Sequence, residues 1–406
     1  VPTDFTIVGG GIGGLVVARR LALAGRSVVL LEASDHLGGT VARQVVAGID
    51  LDAGAESFAT RGGTVAALAG ELGLGDEIVP PAQREAWLRP RSGDPVRLPA
   101  TSLFGIPGTP MAADVIAVVG RASAMRAELD ALIPSLWLPK TISLGALVRR
   151  RMGRGVLEKL VAPVVYGVHS VHPDQLPLDR AVPGLRAAIA REGTLAAAVR
   201  SLRAGMPEET PIAGIRGGMH RLVTELQADL ERLNVTQRFG QRITSVERLS
   251  GKVIVAAPGV LSPVVGRKVV VATLVLDAPE LDAAPRGSGV LVALGADGVR
   301  ARALTHSTAK WEWLRQRAGG RHVVRLSYEA EPEQLRESAR HDAAALLGVP
   351  LPASSVLDFA RVEWLRPTPY AAAPEGVTVV GETAAGSGLA AIIAHANTTA
   401  DTLLAE

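Results

Sequence analysis

A short apolar run, Phe5 to Val8, leads directly into Gly9-Gly10-Gly11-Ile12-Gly13-Gly14, a Gly-x-Gly-x-x-Gly turn. A helical pattern follows, then a second strand pattern, Ser27-Val28-Val29-Leu30-Leu31, which ends on Glu32. Strand, glycine turn, helix, strand and acid in this order are the context in which such a turn binds a dinucleotide. Gly9 permits the tight turn, Gly11 lets backbone approach a pyrophosphate, and Gly14 lets the helix pack close to the strand. The helix start then offers free N–H groups and a positive dipole end to the phosphates. Glu32 lies eighteen residues past Gly14, where an acid that grips a ribose hydroxyl belongs.

At 406 residues the chain is too long for one compact core, and two or three domains are expected. Cysteine is absent, which excludes disulfides, thiol catalysis, a cysteinyl-linked flavin and thiolate metal sites. The 43 basic and 40 acidic side chains leave a net charge of only +3, with no long run of one sign, so nucleic acid is not an expected partner. The densest cluster, Arg149-Arg150-Arg151 with Arg154, reads as a solvated helix face. No stretch reaches the ~18 consecutive apolar residues a membrane-spanning helix needs. Strand one begins almost at once, leaving no room for a signal peptide in the chain as it stands. A cytoplasmic protein is expected, either free or peripheral to the membrane.

Along the chain, Gly63 to Leu72 reads as a helix, and Asp50 to Ser57 as a polar, glycine-containing turn. Met111 to Arg203 has the 3–4 spacing of helices, broken into short pieces by Pro163, Pro173, Pro177 and Pro183. Strand patterns return at Arg242 to Glu247, Val253 to Ala257, Val269 to Leu276, Val290 to Leu294, Val323 to Tyr328 and Phe359 to Trp364. The fold class is therefore α/β: a Rossmann-like nucleotide-binding domain, a mixed-sheet substrate domain and a helical lobe. The expected division gives the nucleotide-binding domain three segments, 1–77, 204–260 and 371–406. The substrate domain takes 78–110 and 261–370, and the helical lobe 111–203.

Gly38-Gly39 adds a second close approach of backbone beyond a plain NAD site. The late strand ending at Gly381-Glu382, followed by Gly386-Ser387-Gly388 and a final helix, offers a second helix N-terminus. Glycine turns at both ends of the chain argue for FAD over NAD. With these features the chain resembles the flavin-dependent amine oxidase and phytoene desaturase superfamily. Within it the chain is similar to the porphyrinogen oxidases that act on coproporphyrinogen III or protoporphyrinogen IX. The closer resemblance rests on Gly54-Ala55-Glu56-Ser57-Phe58, Glu71 to Glu77, Ser143-Leu144-Gly145, Val161 to Val168 and Pro173 to Leu176. Gly217-Gly218-Met219, Val255 to Pro258, Trp364 and Pro369 extend it.

The resemblance implies FAD contacts at Gly9, Gly10, Gly11, Ile12, Gly13, Gly14, Glu32, Ala33, Gly39, Thr40, Gly54, Ala55, Glu56, Ser57, Ile243, Trp364, Gly386, Ser387 and Gly388. It also implies a six-electron oxidation of a porphyrinogen, two electrons at a time, with a meso-carbon hydride passing to flavin N5. Oxygen would then reoxidise the flavin and yield hydrogen peroxide, and a ferrochelatase would stand downstream as a partner. The cofactor carries such chemistry, so no catalytic acid or base is assigned. Coproporphyrinogen III is favoured because the likeness is strongest to bacterial members without a membrane anchor; protoporphyrinogen IX is the alternative. An amine oxidase, a carotenoid desaturase and a flavin-binding protein without turnover are further rivals.

Candidate substrate residues carry two readings each. Arg84, Arg89 and Arg91 are propionate holders or surface arginines. Tyr166 and His169 line the substrate cavity or serve packing. His169 and His172 beside Asp174 read as a polar loop rather than a metal site, so no metal is expected. The chain also departs from the family. Ala390 and Ala391 replace a proline and an aspartate, Ala86 stands where eukaryotic relatives carry an arginine, and Ala371-Ala372-Ala373-Pro374 looks like an abrupt join.

Overall fold

The computed structural model describes residues 3–82, 85–133, 139, 141–169, 171–205, 211–368 and 376–406. The join at 371–374 lies outside the described residues, as do Arg84 and Pro369. The chain divides into two compact units. The first comprises Val1–Pro81, Thr210–Val271 and Ala360–Glu406, the second Ala82–Glu209 and Ala272–Phe359.

The first unit is built on a parallel sheet of five strands. Their spatial order is Thr236–Arg238, Val28–Leu31, Phe5–Val8, Lys252–Val255 and Thr378–Val379. Phe5 pairs with Val28 on one side and Lys252 on the other, and Val8 with Leu31 and Val255. Parallel strands covered on both faces read as continuous apolar runs, as the sequences Phe5 to Val8 and Val28 to Leu31 do. Helix Ile12–Leu23 connects the first two strands. Its Leu15, Val17 and Leu21 share one core with Ile7, Leu30 and, from the last helix, Leu389–Ala405, residues Ile393, Ala396 and Ala400.

Two stretches of this unit differ from the sequence expectation. Asp50 to Asp52 is not turn but strand: Ile49–Asp52 pairs antiparallel with Arg43–Val46. The two-residue tip, Ala47 and Gly48, has φ of 50° and 74°. Both central residues thus occupy the left-handed region that tight hairpins demand, with alanine where asparagine or aspartate would have signalled the turn. Arg242 to Glu247, in contrast, forms no strand. Its apolar residues Ile243, Val246 and Leu249 recur every third position and pack beside Val8, Val255 and Val260. A period of three gives a strand no apolar face.

In the second unit the sheet runs Val96–Arg97, Ala86–Arg89, Gly289–Val292, Ala303–His306 and His322–Tyr328. It continues into Gly266–Leu276 and Val356–Pro367, two long strands whose residues are divided between the units. Strand Ala303–His306 was not apparent from the sequence pattern. Several short helices between Ala113 and Ala204 share a second core, with Leu144, Leu147, Leu160, Leu185 and Leu195 fully buried. A side chain at Gly167 would strike Leu291, so glycine lets helix Ala162–His169 lie directly on the sheet.

The arginine run is not wholly solvated. Arg149 and Arg150 are exposed, but Arg151 is 2% exposed and pairs with Asp130, itself 1% exposed. The Arg151 guanidinium also donates to the carbonyls of Ile133 (3.1 Å) and Gly193 (3.0 Å). Asp130 in turn accepts from the Leu195 and Ala196 N–H groups at 2.6 and 3.1 Å. One ion pair therefore joins three segments of the helical region, and its position on the buried stripe with Leu144, Leu147 and Val148 explains why a polar run conceals it. Removing one partner of a buried pair leaves the other charge uncompensated. We expect Asp130→Ala to lower unfolding free energy by about 3–5 kcal/mol in urea titrations. Arg150→Ala, a change on the exposed face, should stay within about 0.5 kcal/mol.

Candidate functional site

The candidate nucleotide cradle begins where strand Phe5–Val8 ends. Gly9 has φ of +109°, and a side chain there would meet Ala257 at 2.7 Å. A side chain at Gly14 would run into the Gly9 carbonyl oxygen, so the helix can start this close to the strand only with glycine. Gly11 is different in kind. It caps helix Ile12–Leu23 with ordinary extended dihedrals (φ −72°, ψ 170°), and among the described residues, its two chain neighbours aside, no atom lies within 4 Å of where its Cβ would be. The N–H groups of Ile12, Gly13 and Gly14 fall in the first helical turn, where no intrahelical carbonyl reaches them. Open space, free donors and a dipole end meet at Gly11, and this fits a pyrophosphate.

Glu32 is half-buried at the end of the second strand. Its Oε2 accepts the Gly10 N–H at 2.7 Å, while Oε1 accepts both the N–H and the hydroxyl of Ser34 at 2.8 Å. The acid is therefore tied to the glycine turn as well as to its own strand end. Ala33 is exposed beside it. Gly38 joins this arrangement, its N–H donating to the Gly10 carbonyl at 2.8 Å and Gly39 lying against Gly11.

Thr40, Gly54 and Trp364 form the next layer of the same unit. The Thr40 carbonyl accepts from the Ala55 N–H at 3.0 Å, and a side chain at Gly54 would collide with it. The Trp364 indole N–H donates to the Ala53 carbonyl at 3.1 Å, and its ring edge lies 3.3 Å from the position a Gly54 Cβ would take. Glu56 and Ser57 follow, half-buried. Ile243 packs beside Val8 and Val255 at the carboxyl ends of their strands. Open parallel sheets bind ligands at that edge.

The late glycine turn reaches the same place. A side chain at Gly13 would come within 2.8 Å of the Gly381 backbone, so the first helix and the last turn touch main chain to main chain. Gly386 (φ 74°) and Gly388 (φ 108°) frame the exposed Ser387, and Gly388 caps the final seventeen-residue helix. The sequence marks Gly381 as part of the late turn but not its contact with Gly13, and sequence reasoning missed two further contributors. Ser34 acts through its local hydrogen bonds to Glu32. Asp52, buried at the end of the hairpin, accepts the Met219 and His220 N–H groups at the start of helix His220–Arg232.

Of the residues proposed for substrate, the described ones, Arg89, Arg91, Tyr166 and His169, lie in the second unit. Arg89 donates to the carbonyls of Gly93 and Asp297, and Arg91 to that of Leu294 at 3.1 Å. Tyr166 is half-buried, its ring edge-to-face with His172 at 5.9 Å. His169 lies in the same helix, its side chain outside the described part. The His172 ring accepts the Asp174 N–H at 3.2 Å. Among the described residues no group of His, Asp or Glu is arranged to hold a metal ion, and no helix is long and apolar enough to cross a membrane.

A parallel sheet with two glycine turns converging on one helix start, and an acid fixed beside it, is the arrangement of the dinucleotide-binding α/β class. The profile of the flavin containing amine oxidoreductases matches residues 12–281, and the chain belongs to that family. It is an FAD-dependent oxidoreductase. The chain is similar to coproporphyrinogen III oxidase of Mycobacterium tuberculosis, 28% identical over a gapped alignment of 427 positions that covers 95% of this chain and 90% of that one. Protoporphyrinogen oxidase 2 of Arabidopsis thaliana is 27% identical over 188 residues, 44% of this chain and 35% of that one. A candidate protoporphyrinogen oxidase from Exiguobacterium sp. 255-15 has the same fold, with TM-score 0.84, 21% identity and 99% of both chains covered. A putrescine oxidase shares it at TM-score 0.67 and 15% identity, covering 99% of both chains.

The glycines separate cofactor contact from packing, which makes them testable one by one. Gly11→Ala should leave the melting temperature of the flavin-free protein unchanged, because its Cβ enters open space. FAD affinity, read by flavin fluorescence, should fall about tenfold or more, at least ~1.4 kcal/mol. Gly14→Ala should instead destabilise the flavin-free fold by about 1–3 kcal/mol through overpacking. Unchanged FAD binding in Gly11→Ala would remove Gly11 from the pyrophosphate.

Proposed function

We propose that the protein oxidises a porphyrinogen, with coproporphyrinogen III as its preferred substrate. The observation that carries this reading is the extent of the likeness to mycobacterial coproporphyrinogen III oxidase, which covers 95% of the chain. Bound FAD supplies the two-electron acceptor. In this reading Gly9 to Gly14 hold the pyrophosphate, Glu32 and Ala33 the adenosine ribose, and Gly39, Thr40 and Gly54 to Ser57 the middle of the cofactor. Ile243, Trp364 and Gly386 to Gly388 complete the cradle. Oxygen as the final acceptor, a cytoplasmic setting and hand-over of product to a ferrochelatase belong to the same proposal.

Substrate choice turns on charge. Coproporphyrinogen III carries four propionates, protoporphyrinogen IX two propionates and two vinyl groups. A site for the tetra-acid needs cationic or N–H donors at both ends of the macrocycle, since a buried carboxylate without partners costs several kcal/mol. Arg84, Arg89 and Arg91 are the proposed donors at one end, with Tyr166 and His169 as further lining groups. An arginine has five N–H donors, so the carbonyl bonds of Arg89 and Arg91 leave both with capacity to spare. The second reading, protoporphyrinogen IX oxidation, is favoured by the Arabidopsis and Exiguobacterium likenesses.

Specificity constants for the two porphyrinogens, measured under one set of conditions, distinguish the readings. We expect kcat/KM to favour coproporphyrinogen III by about tenfold or more, ~1.4 kcal/mol of transition-state binding. A preference for protoporphyrinogen IX would transfer the assignment to the second reading.

A further inference from the structure

We infer that Ser34 is a positioning residue for the cofactor: its hydroxyl and N–H hold Glu32 in the one orientation that leaves a single acceptor site facing the adenosine ribose. The inference rests on the proposal that Glu32 binds that ribose. It adds a residue whose side chain need not touch FAD.

A carboxylate has about four lone-pair positions. In Glu32 three are committed within the protein. The Gly10 N–H occupies one on Oε2, and the Ser34 N–H and hydroxyl occupy both on Oε1. One position on Oε2 remains, on the oxygen that already faces the glycine turn. The backbone fixes the rest of the residue: the Glu32 N–H donates to the Arg238 carbonyl at 2.9 Å, and the Glu32 carbonyl accepts from the Gln241 N–H at 2.8 Å. Only the side-chain torsions are left to be set, and Ser34 and Gly10 set them from opposite sides.

The Ser34 hydroxyl has one proton and two acceptors within reach, Glu32 Oε1 at 2.8 Å and the His36 carbonyl at 2.7 Å. A charged acceptor makes the stronger hydrogen bond. His36 is exposed, and its carbonyl is uncharged. The proton therefore goes to the carboxylate. Alanine at position 34 would keep the N–H bond but free one lone pair on Oε1, letting the carboxylate swing and take water there. The cost would then be paid on cofactor binding, when the carboxylate must be ordered again.

The test titrates full-length, flavin-stripped protein with FAD and, separately, with FMN, which lacks the adenosine half. Ser34→Ala should raise the Kd for FAD about three- to tenfold, the effect of one hydrogen bond to a charged group's orientation. It should leave the Kd for FMN and the melting temperature unchanged, and Ser34→Thr, which retains a hydroxyl, should restore FAD affinity. In a Glu32→Ala background the same Ser34→Ala change should shift the FAD Kd by less than about twofold, because coupled neighbours lose their effects together. Equal shifts in both backgrounds, parallel losses of FAD and FMN, or no shift in the wild-type background would each overturn the role of Ser34. If Glu32→Ala itself leaves FAD binding intact, the ribose reading falls, and this inference with it.

Discussion

Backbone-to-backbone contact between two glycine turns is the constraint on which the first unit depends. Gly14 packs onto the Gly9 carbonyl, and Gly13 touches the backbone of Gly381, more than 360 residues away in sequence. Neither approach tolerates a side chain. The first contact starts the helix directly above the sheet edge, and the second brings the last strand and final helix to the same edge. Dipole, free N–H groups and open space therefore coincide at Gly11 because the surrounding glycines have removed everything that would hold the elements apart. Packing comes first, and the proposed cofactor cradle is its by-product.

Around that cradle the polar groups are ordered by local bonds rather than by burial alone. Glu32 is fixed from two sides, Trp364 is pinned to the Ala53 carbonyl, and Asp52 holds the start of helix His220–Arg232. Arg366 and Glu382 add an ion pair at 2.8 Å between the strand that carries Trp364 and the late turn. Such preorganisation suits an enzyme whose cofactor performs the redox step, since the protein's task is to orient and to exclude water. It also accounts for the lack of any evident hydrolytic or thiol constellation in the sequence.

Much of this was legible in the chain itself. The fingerprint, the acid after the second strand and the late glycine turn each carry a local rule, and the structure assembles all three in one unit. What escaped has physical reasons. The hairpin at Ala47 and Gly48 uses alanine in a left-handed position, which no propensity signals. The stretch around Ile243 is apolar enough for a strand but has the wrong period. Arg151 sits in a polar run, yet its neighbours three and four residues earlier place it on the buried stripe, where Asp130 awaits it. The partnership of Ser34 with Glu32 depends on side-chain torsions that no spacing rule encodes.

The central claim is that a flavin held in this cradle takes electrons from a porphyrinogen. Anaerobic mixing of the purified yellow protein with coproporphyrinogen III tests it most directly, with the flavin absorbance followed in a single turnover. The account predicts that the oxidised flavin band bleaches and returns when oxygen is admitted, with coproporphyrin accumulating. A flavin band that persists unchanged in the presence of excess porphyrinogen would contradict it.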